Sequence, residues 1–247
     1  MEIALYSMFR KLRRFCFNVL HPAIGEVWQL HRVTDEQSKQ ELHRPYEITP
    51  ARLESLIRKY FAKGYEFIPI AEVVDRMTGK RGKKFVCVTL DDGYADNYEV
   101  AYPIFKKYHV PFCIYISEKM ITGERREDNI ENYRMLSMDQ LCALDKEPLC
   151  TLGGHTRSHV RLTHLSIDQQ TQEIYGCKLW LENLLGHSIE DYAFPYGDYN
   201  EVAFSVFQRI GIKRAVASWG GLVRKNTPDR VMNIPRVLVM EDGVNYV

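Results

Sequence analysis

With 247 residues, 45% of them hydrophobic, the chain is long enough for one domain with a full core. Its 33 Lys+Arg balance 32 Asp+Glu to a formal net charge of +1, so no global field argues for nucleic acid or an acidic partner. No apolar stretch reaches the length of a membrane span, and there is no internal repeat or linker. The cysteines (Cys16, Cys87, Cys113, Cys142, Cys150, Cys177) form no C-x-x-C pair, and several sit in apolar runs. That pattern fits reduced, buried thiols and a cytoplasmic compartment.

Leu5, Met8, Phe9, Leu12 and Phe15 recur at helical spacing beside Arg10, Lys11, Arg13 and Arg14. This predicts a basic amphipathic helix within residues 1–25, without the apolar run and cleavage site of a signal peptide. Two readings of it stand: a terminal helix packed on the domain, or a helix lying on an anionic membrane surface, at the inner face. A single domain over 26–247 follows. A strand at 27–31 and a polar loop at 34–46 come first. Thr49-Pro50 then reads as N-cap and first residue of a helix with a Leu53, Leu56, Ile57, Tyr60, Phe61 stripe, ended by Gly64. A short strand at 67–70 and a small helix with Val73 and Val74 follow, then a basic turn at 80–84. Residues 86–90 are apolar and β-branched, the mark of a buried strand. A helix at 95–108, restarted near Pro103, and a strand at 110–116 come next. The polar segment 118–132 reads as a long cleft-shaping loop. Next come a helix at 137–144 and a strand at 150–152. Ser166 to Gln169 is a capping box opening a helix to Gly186. A strand at 191–194, a helix at 200–211 and a strand at 214–218 complete the alternation, which argues α/β.

The chemistry concentrates at strand ends. Asp91 and Asp92 follow the 86–90 strand directly. Adjacent carboxylates repel unless something absorbs the charge, and a metal ion does so. His155 and His159 stand at i, i+4, which on a helical turn puts both rings on one face. One Asp and two His leave coordination positions open, as a hydrolytic metal site requires. A glycosidase reading of Asp91 and Asp92 fails, because such pairs flank the scissile bond ~5 Å or more apart. His164 sits at a helix entry and reads as surface; His21, His43, His109 and His187 lack metal-like spacing. His31, Asp91, Asp92, His155, Pro195 and Tyr196 all fall at or just beyond strand C-terminal ends, where a (β/α) barrel carries its active site.

Four segments carry a resemblance. Thr89-Leu90-Asp91-Asp92-Gly93, His155 to His159, Tyr192 to Gly197 and Trp28 to Val33 resemble, in order, the T-F-D-D-G, H-S/T-x-x-H, F-A-Y-P-Y-G and L-x-Y-H-R-V motifs. These belong to the polysaccharide deacetylases of carbohydrate esterase family 4, the NodB-homology enzymes, in the subgroup whose general-acid motif is N-terminal. The likeness spans roughly residues 26–240. It implies a distorted (β/α)7 barrel, TIM-barrel-like, and a metal-dependent N-deacetylase. Asp92, His155 and His159 resemble the metal ligands, for Zn2+ first, with Co2+, Ni2+ or Fe2+ open. Asp91 resembles the general base and His31 the general acid; at His31 a core histidine is the competing reading. Tyr196 resembles the residue whose backbone N–H stabilises the oxyanion. Tyr94, Pro195, Tyr196 and Gly197 would line the substrate cleft, Tyr94 either stacking on a sugar or serving as a core aromatic.

Two departures stand out. Ala193 occupies the position where many members carry an Arg that orients the base. Arg236, in a segment like the subgroup's L-P-R-I, could replace it, or be an ordinary surface arginine. Gly154 stands where Ser is usual. The implied partner is an N-acetylated carbohydrate, with no nucleic acid; no oligomeric state is specified. Three other readings stay open: deacylation of a lipid-linked or small sugar precursor, hydrolysis of a non-sugar amide in the allantoinase manner, and a silent, metal-containing carbohydrate-binding barrel.

Overall fold

The computed structural model describes residues 21–36, 44–79, 82–125, 133–225, 227 and 230–245. The expected N-terminal helix falls mainly outside them, and its last positions are strand instead: β1 begins at Ala23. The strands are β1 (Ala23–Leu30), β2 (Arg32–Val33), β3 (Glu47–Ile48), β4 (Glu66–Phe67), β5 (Phe85–Leu90), β6 (Phe112–Ile116), β7 (Cys150–Gly154), β8 (Asp191–Ala193), β9 (Arg214–Gly220), β10 (Val223–Arg224), β11 (Ile234–Val239) and β12 (Val244–Asn245). The helices are α1 (Pro50–Ala62), α2 (Ile70–Met77), α3 (Tyr102–Tyr108), α4 (Glu118–Ile121), α5 (Met138–Asp145), α6 (Ile167–Leu185) and α7 (Glu201–Ile210).

Seven strands run parallel in the order β1-β11-β9-β8-β7-β6-β5, and β5 pairs back onto β1, closing a barrel. All seven point their C-terminal ends the same way, so every loop leaving them opens on one face. A barrel strand covered on both sides must be apolar throughout, and β5 (FVCVTL) is buried at every position. Val27, Cys87, Cys113, Tyr115, Ala193, Val216 and Ile234 share an interior cluster, which Ile70, Val73 and Met77 of α2 join. A larger cluster packs the outer strand faces against the helices. Trp28, a departure from the motif, belongs there, edge-on to Tyr60 at 5.0 Å.

Local signals hold closely. Thr49 caps α1 with Pro50 first, Ser137 and Ser166 form complete capping boxes, and Gly186 ends α6 at φ 81°. Before α3 the chain makes a π-turn at Asn97–Ala101, the restart expected near Pro103. Three expectations change. Residues 155–159 are not a helical turn: Thr156 and His159 take φ of 63° and 47°. The 118–132 loop opens with helix α4, and its 126–132 part lies outside the described residues. The strand series does not stop at β9, because β11 inserts between β9 and β1 and completes the ring.

Candidate active site

Register brings the motifs together. β1 and β5 pair from Gly25↔Phe85 to Leu30↔Leu90, so the residues after them, His31 and Asp91, leave the barrel side by side. β6, β7 and β8 bring Ile116, Gly154 and Tyr192 level, which sets His155 beside the same opening. The opening is a cleft of about 1130 Å³ lined by Gln29, His31, Asp91, Asp92, His155, His159, Tyr196 and Trp219 among others.

Asp92 Oδ1 lies 3.4 Å from His155 Nε2 and 3.2 Å from His159 Nε2, and all three residues are buried. His155 Nδ1 lies 2.8 Å from the Ala193 carbonyl. A carbonyl only accepts, so Nδ1 carries the proton and Nε2 turns a lone pair to the shared point. Two imidazoles and a carboxylate converging there suit a divalent cation. Burial pushes the Asp92 carboxyl up, but its neighbours, the charge on a protonated His159 first, outweigh it and hold it well below the ordinary value.

The loop geometry comes at a conformational cost. Asp92, Thr156, His159 and Tyr196 all sit at positive φ without being glycine. Such left-handed conformations cluster where surrounding contacts over-determine them. Here Tyr192 Oη accepts from Thr156 N–H at 2.7 Å, pinning the loop between the two histidines. Gly154 has a steric reason: a Cβ there would come within 2.6 Å of the Tyr192 ring. Gly197, at φ 61°, likewise leaves room for Trp219.

Asp91 is buried and clamped. Arg236 Nη1 donates to Oδ1 and Nη2 to Oδ2, each at 2.7 Å, and Gln29 Nε2 donates to Oδ2 at 2.9 Å. Arg236 is 0% exposed and also donates to the Ala217 carbonyl and Thr89 Oγ1, so it is no surface arginine. Its guanidinium also lies 5.8 Å from the centre of the Tyr115 ring in the barrel interior. Burial raises the Asp91 carboxyl and Arg236, His155 and His31 lower it, for a net shift downward. His31 Nε2 stands 3.9 Å from Asp91 Oδ2, its ring edge-on to Tyr46 at 4.7 Å. Burial holds that imidazole below its ordinary value, against the pull of Asp92 and Asp91.

The Tyr196 ring lies tilted against His159 at 4.8 Å, with the Arg161 guanidinium over it at 4.3 Å, and is 39% exposed. Pro195, the residue before it, is buried. Tyr94 is only 5% exposed and packs edge-on to Tyr133, so it forms wall rather than an open platform. The exposed rings at the rim are Tyr46, Tyr196 and Trp219. Sequence reasoning missed Gln29 and Thr89 as neighbours of Asp91. The inward parity they share with Asp91 on paired strands was the available signal. His164 lies in a short 3-10 turn and is exposed, outside the site.

A parallel seven-stranded barrel thus carries at its C-terminal mouth a buried Asp-His-His group that could hold a metal ion and, beside it, a clamped second carboxylate, an arrangement that fits a hydrolase. The polysaccharide deacetylase family model matches residues 78–215, and the chain belongs to that family. It is 26% identical over 211 residues to the poly-beta-1,6-N-acetyl-D-glucosamine N-deacetylase of Staphylococcus aureus, covering 82% of this chain and 71% of that protein. It is 27% identical over 147 residues to the Bacillus subtilis protein YxkH, described as a polysaccharide deacetylase, covering 60% of this chain and about half (49%) of that relative. In fold it resembles the Streptococcus pyogenes deacetylase PplD, solved in complex with acetate, with TM-score 0.74, 23% identity and coverage of 87% and 92% of the two chains. IcaB from Ammonifex degensii gives TM-score 0.73, 23% identity and coverage of 89% and 93%.

Proposed function

We propose that this chain removes N-acetyl groups from amino sugars of a poly- or oligosaccharide, with a poly-N-acetylglucosamine as the substrate class the staphylococcal relative suggests. The observation that carries the reading is the pairing of two distinct acidic sites on adjacent residues. Asp92 is held by two imidazoles, while Asp91 is held by a guanidinium and an amide. One carboxylate is thereby free to ligate and the other to handle a proton.

Asp92, His155 and His159 would hold a divalent ion, Zn2+ by donor type. Bound there, such an ion lowers the pKa of a water ligand and polarises the acetyl oxygen. Asp91 accepts the proton of the attacking water. It can do so because Arg236 fixes its plane and leaves a lone pair unused on Oδ1. The Tyr196 backbone, in its left-handed turn beside His159, supplies the N–H for the developing oxyanion. His31 protonates the departing amine. Tyr46 and Trp219 flank the cleft as faces for sugar rings.

The test is acetate release from N-acetylated glycans and sugar-lipids after chelation and restoration of zinc. Wild type should turn over only with metal. Asp91→Asn should lose about 10²–10⁴-fold in kcat while still binding zinc. Stoichiometric zinc without acetate release across the panel would sink the reading in favour of another acyl group or a silent binding barrel.

A further inference from the structure

We propose that Gln29 is a positioning residue that keeps the acid His31 from pairing with the base Asp91, and that it thereby leaves Asp91 Oδ1 as the proton-accepting atom. The inference rests on the roles given above to His31 and Asp91.

Gln29 is buried on β1, opposite Thr89 of β5 and Leu238 of β11, with its side chain in the cleft wall. Its Nε2 lies 2.9 Å from Asp91 Oδ2. A carboxylate can only accept, so the amide nitrogen, not the amide oxygen, must face it. Arg236 Nη2 takes the other approach to the same oxygen at 2.7 Å. A carboxylate oxygen offers two in-plane lone pairs, and on Oδ2 both are engaged. Among the described residues Oδ1 receives one donor, Arg236 Nη1, also at 2.7 Å, and keeps one lone pair.

His31 Nε2 stands 3.9 Å from Oδ2, beyond hydrogen-bond reach. The two side chains leave neighbouring strands side by side, so nothing in the backbone separates them further. A direct His31–Asp91 hydrogen bond would occupy the acid's nitrogen and one of the base's oxygens together. Arg236 alone would leave a lone pair of Oδ2 open to His31, and a shift of under ~1 Å would close that contact. Gln29 fills this lone pair with a neutral donor that has no acid–base chemistry of its own. Asp91 is thus held by three donors from two strands, β1 and β11, and its unused lone pair belongs to the other oxygen.

The test uses zinc-loaded Gln29→Met, which keeps length and volume but removes the donor; Gln29→Leu serves if that protein does not fold. The variant should lose about tenfold in kcat, the scale of one hydrogen bond to a charged group. KM should stay within about twofold and zinc affinity should be unchanged, because neither depends on this contact. In a His31→Ala background the same substitution should cost almost nothing more, since no imidazole remains to close on Oδ2. A crystal structure of Gln29→Met should show His31 Nε2 within about 3.2 Å of Oδ2. An equal loss in both backgrounds, an unchanged kcat, or an unmoved His31 overturns the inference. Wild type without metal-dependent turnover defeats the deacetylase reading instead, and the crystallographic distance still decides the contact.

Discussion

Two bidentate carboxylate–guanidinium pairs sit at opposite ends of the barrel, and they behave differently. At the C-terminal mouth Asp91 meets Arg236, which is fully buried and sits inside β11. At the other end Asp191, the first residue of β8, meets Arg214, the first of β9, at 2.6 and 2.8 Å. Arg214 keeps some solvent contact and shares itself with Glu190. Burial is the largest influence on both carboxyls and pushes both up. At Asp91 the enclosed arginine and two histidines reverse it, whereas at Asp191 burial wins and the value stays raised. The same pair of residue types therefore holds an ionised carboxylate at the cleft at one end and serves as a strand-to-strand clasp at the other.

The largest expected effect separates the two arginines. Arg236→Leu strands a buried carboxylate and should cost about 3–5 kcal/mol of stability along with most turnover. Arg214→Leu should cost less, because Arg214 is itself partly exposed and Lys213 remains to oppose the Asp191 charge, and it should leave kcat of the folded fraction unchanged. Urea unfolding beside acetate release checks both. If Arg214→Leu abolished turnover in folded protein, the division between a working end and a clasping end would fail.

A smaller effect belongs to the loop between His155 and His159. Tyr192→Phe removes the acceptor of the Thr156 N–H and leaves that group unsatisfied in a buried, left-handed segment. Stability should fall by about 1–3 kcal/mol. Zinc affinity, read by competition with a chelator, should fall about tenfold, as for other groups that orient metal ligands.

The smallest effect is a pH slope at the clasping end. The folded pKa of Asp191 is raised above its unfolded value, so the folded state binds the proton more tightly. Its contribution to stability must then decline as pH rises from the unfolded value through the folded one. Glu190 adds to the rise, and Arg214 and Lys213 oppose it. Asp191→Asn should remove this decline. Midpoints of urea unfolding between about pH 3.5 and 6 measure it. An unchanged slope would mean that the Arg214 pair compensates burial fully.

Local signals carried far because they depend on near neighbours in the chain. Capping boxes, Gly186 and the apolar run of β5 are each decided within a few residues. The motif residues also fell where strands end, since strand length and loop chemistry place them there. The helical turn at 155–159 was misread for the converse reason. Spacing of four residues suits a helix, yet a loop whose Thr156 and His159 turn left-handed brings the rings together as well, and Tyr192, far along the chain, holds it so. β11 escaped notice because its Pro235 and Arg236 do not read as a buried parallel strand.

By itself the sequence determined the alternation of strands and helices, the strand-end positions of His31, Asp91, Asp92, His155 and Tyr196, and the family. Those are properties of periodicity and of short segments. Only the tertiary structure decided that β11 closes the ring, that Arg236 rather than residue 193 clamps Asp91, and that Gln29 donates to the same carboxylate. Each of these depends on register between strands far apart in the chain. Register is set by packing the whole barrel interior at once, since a shift of one residue would turn every inward side chain outward.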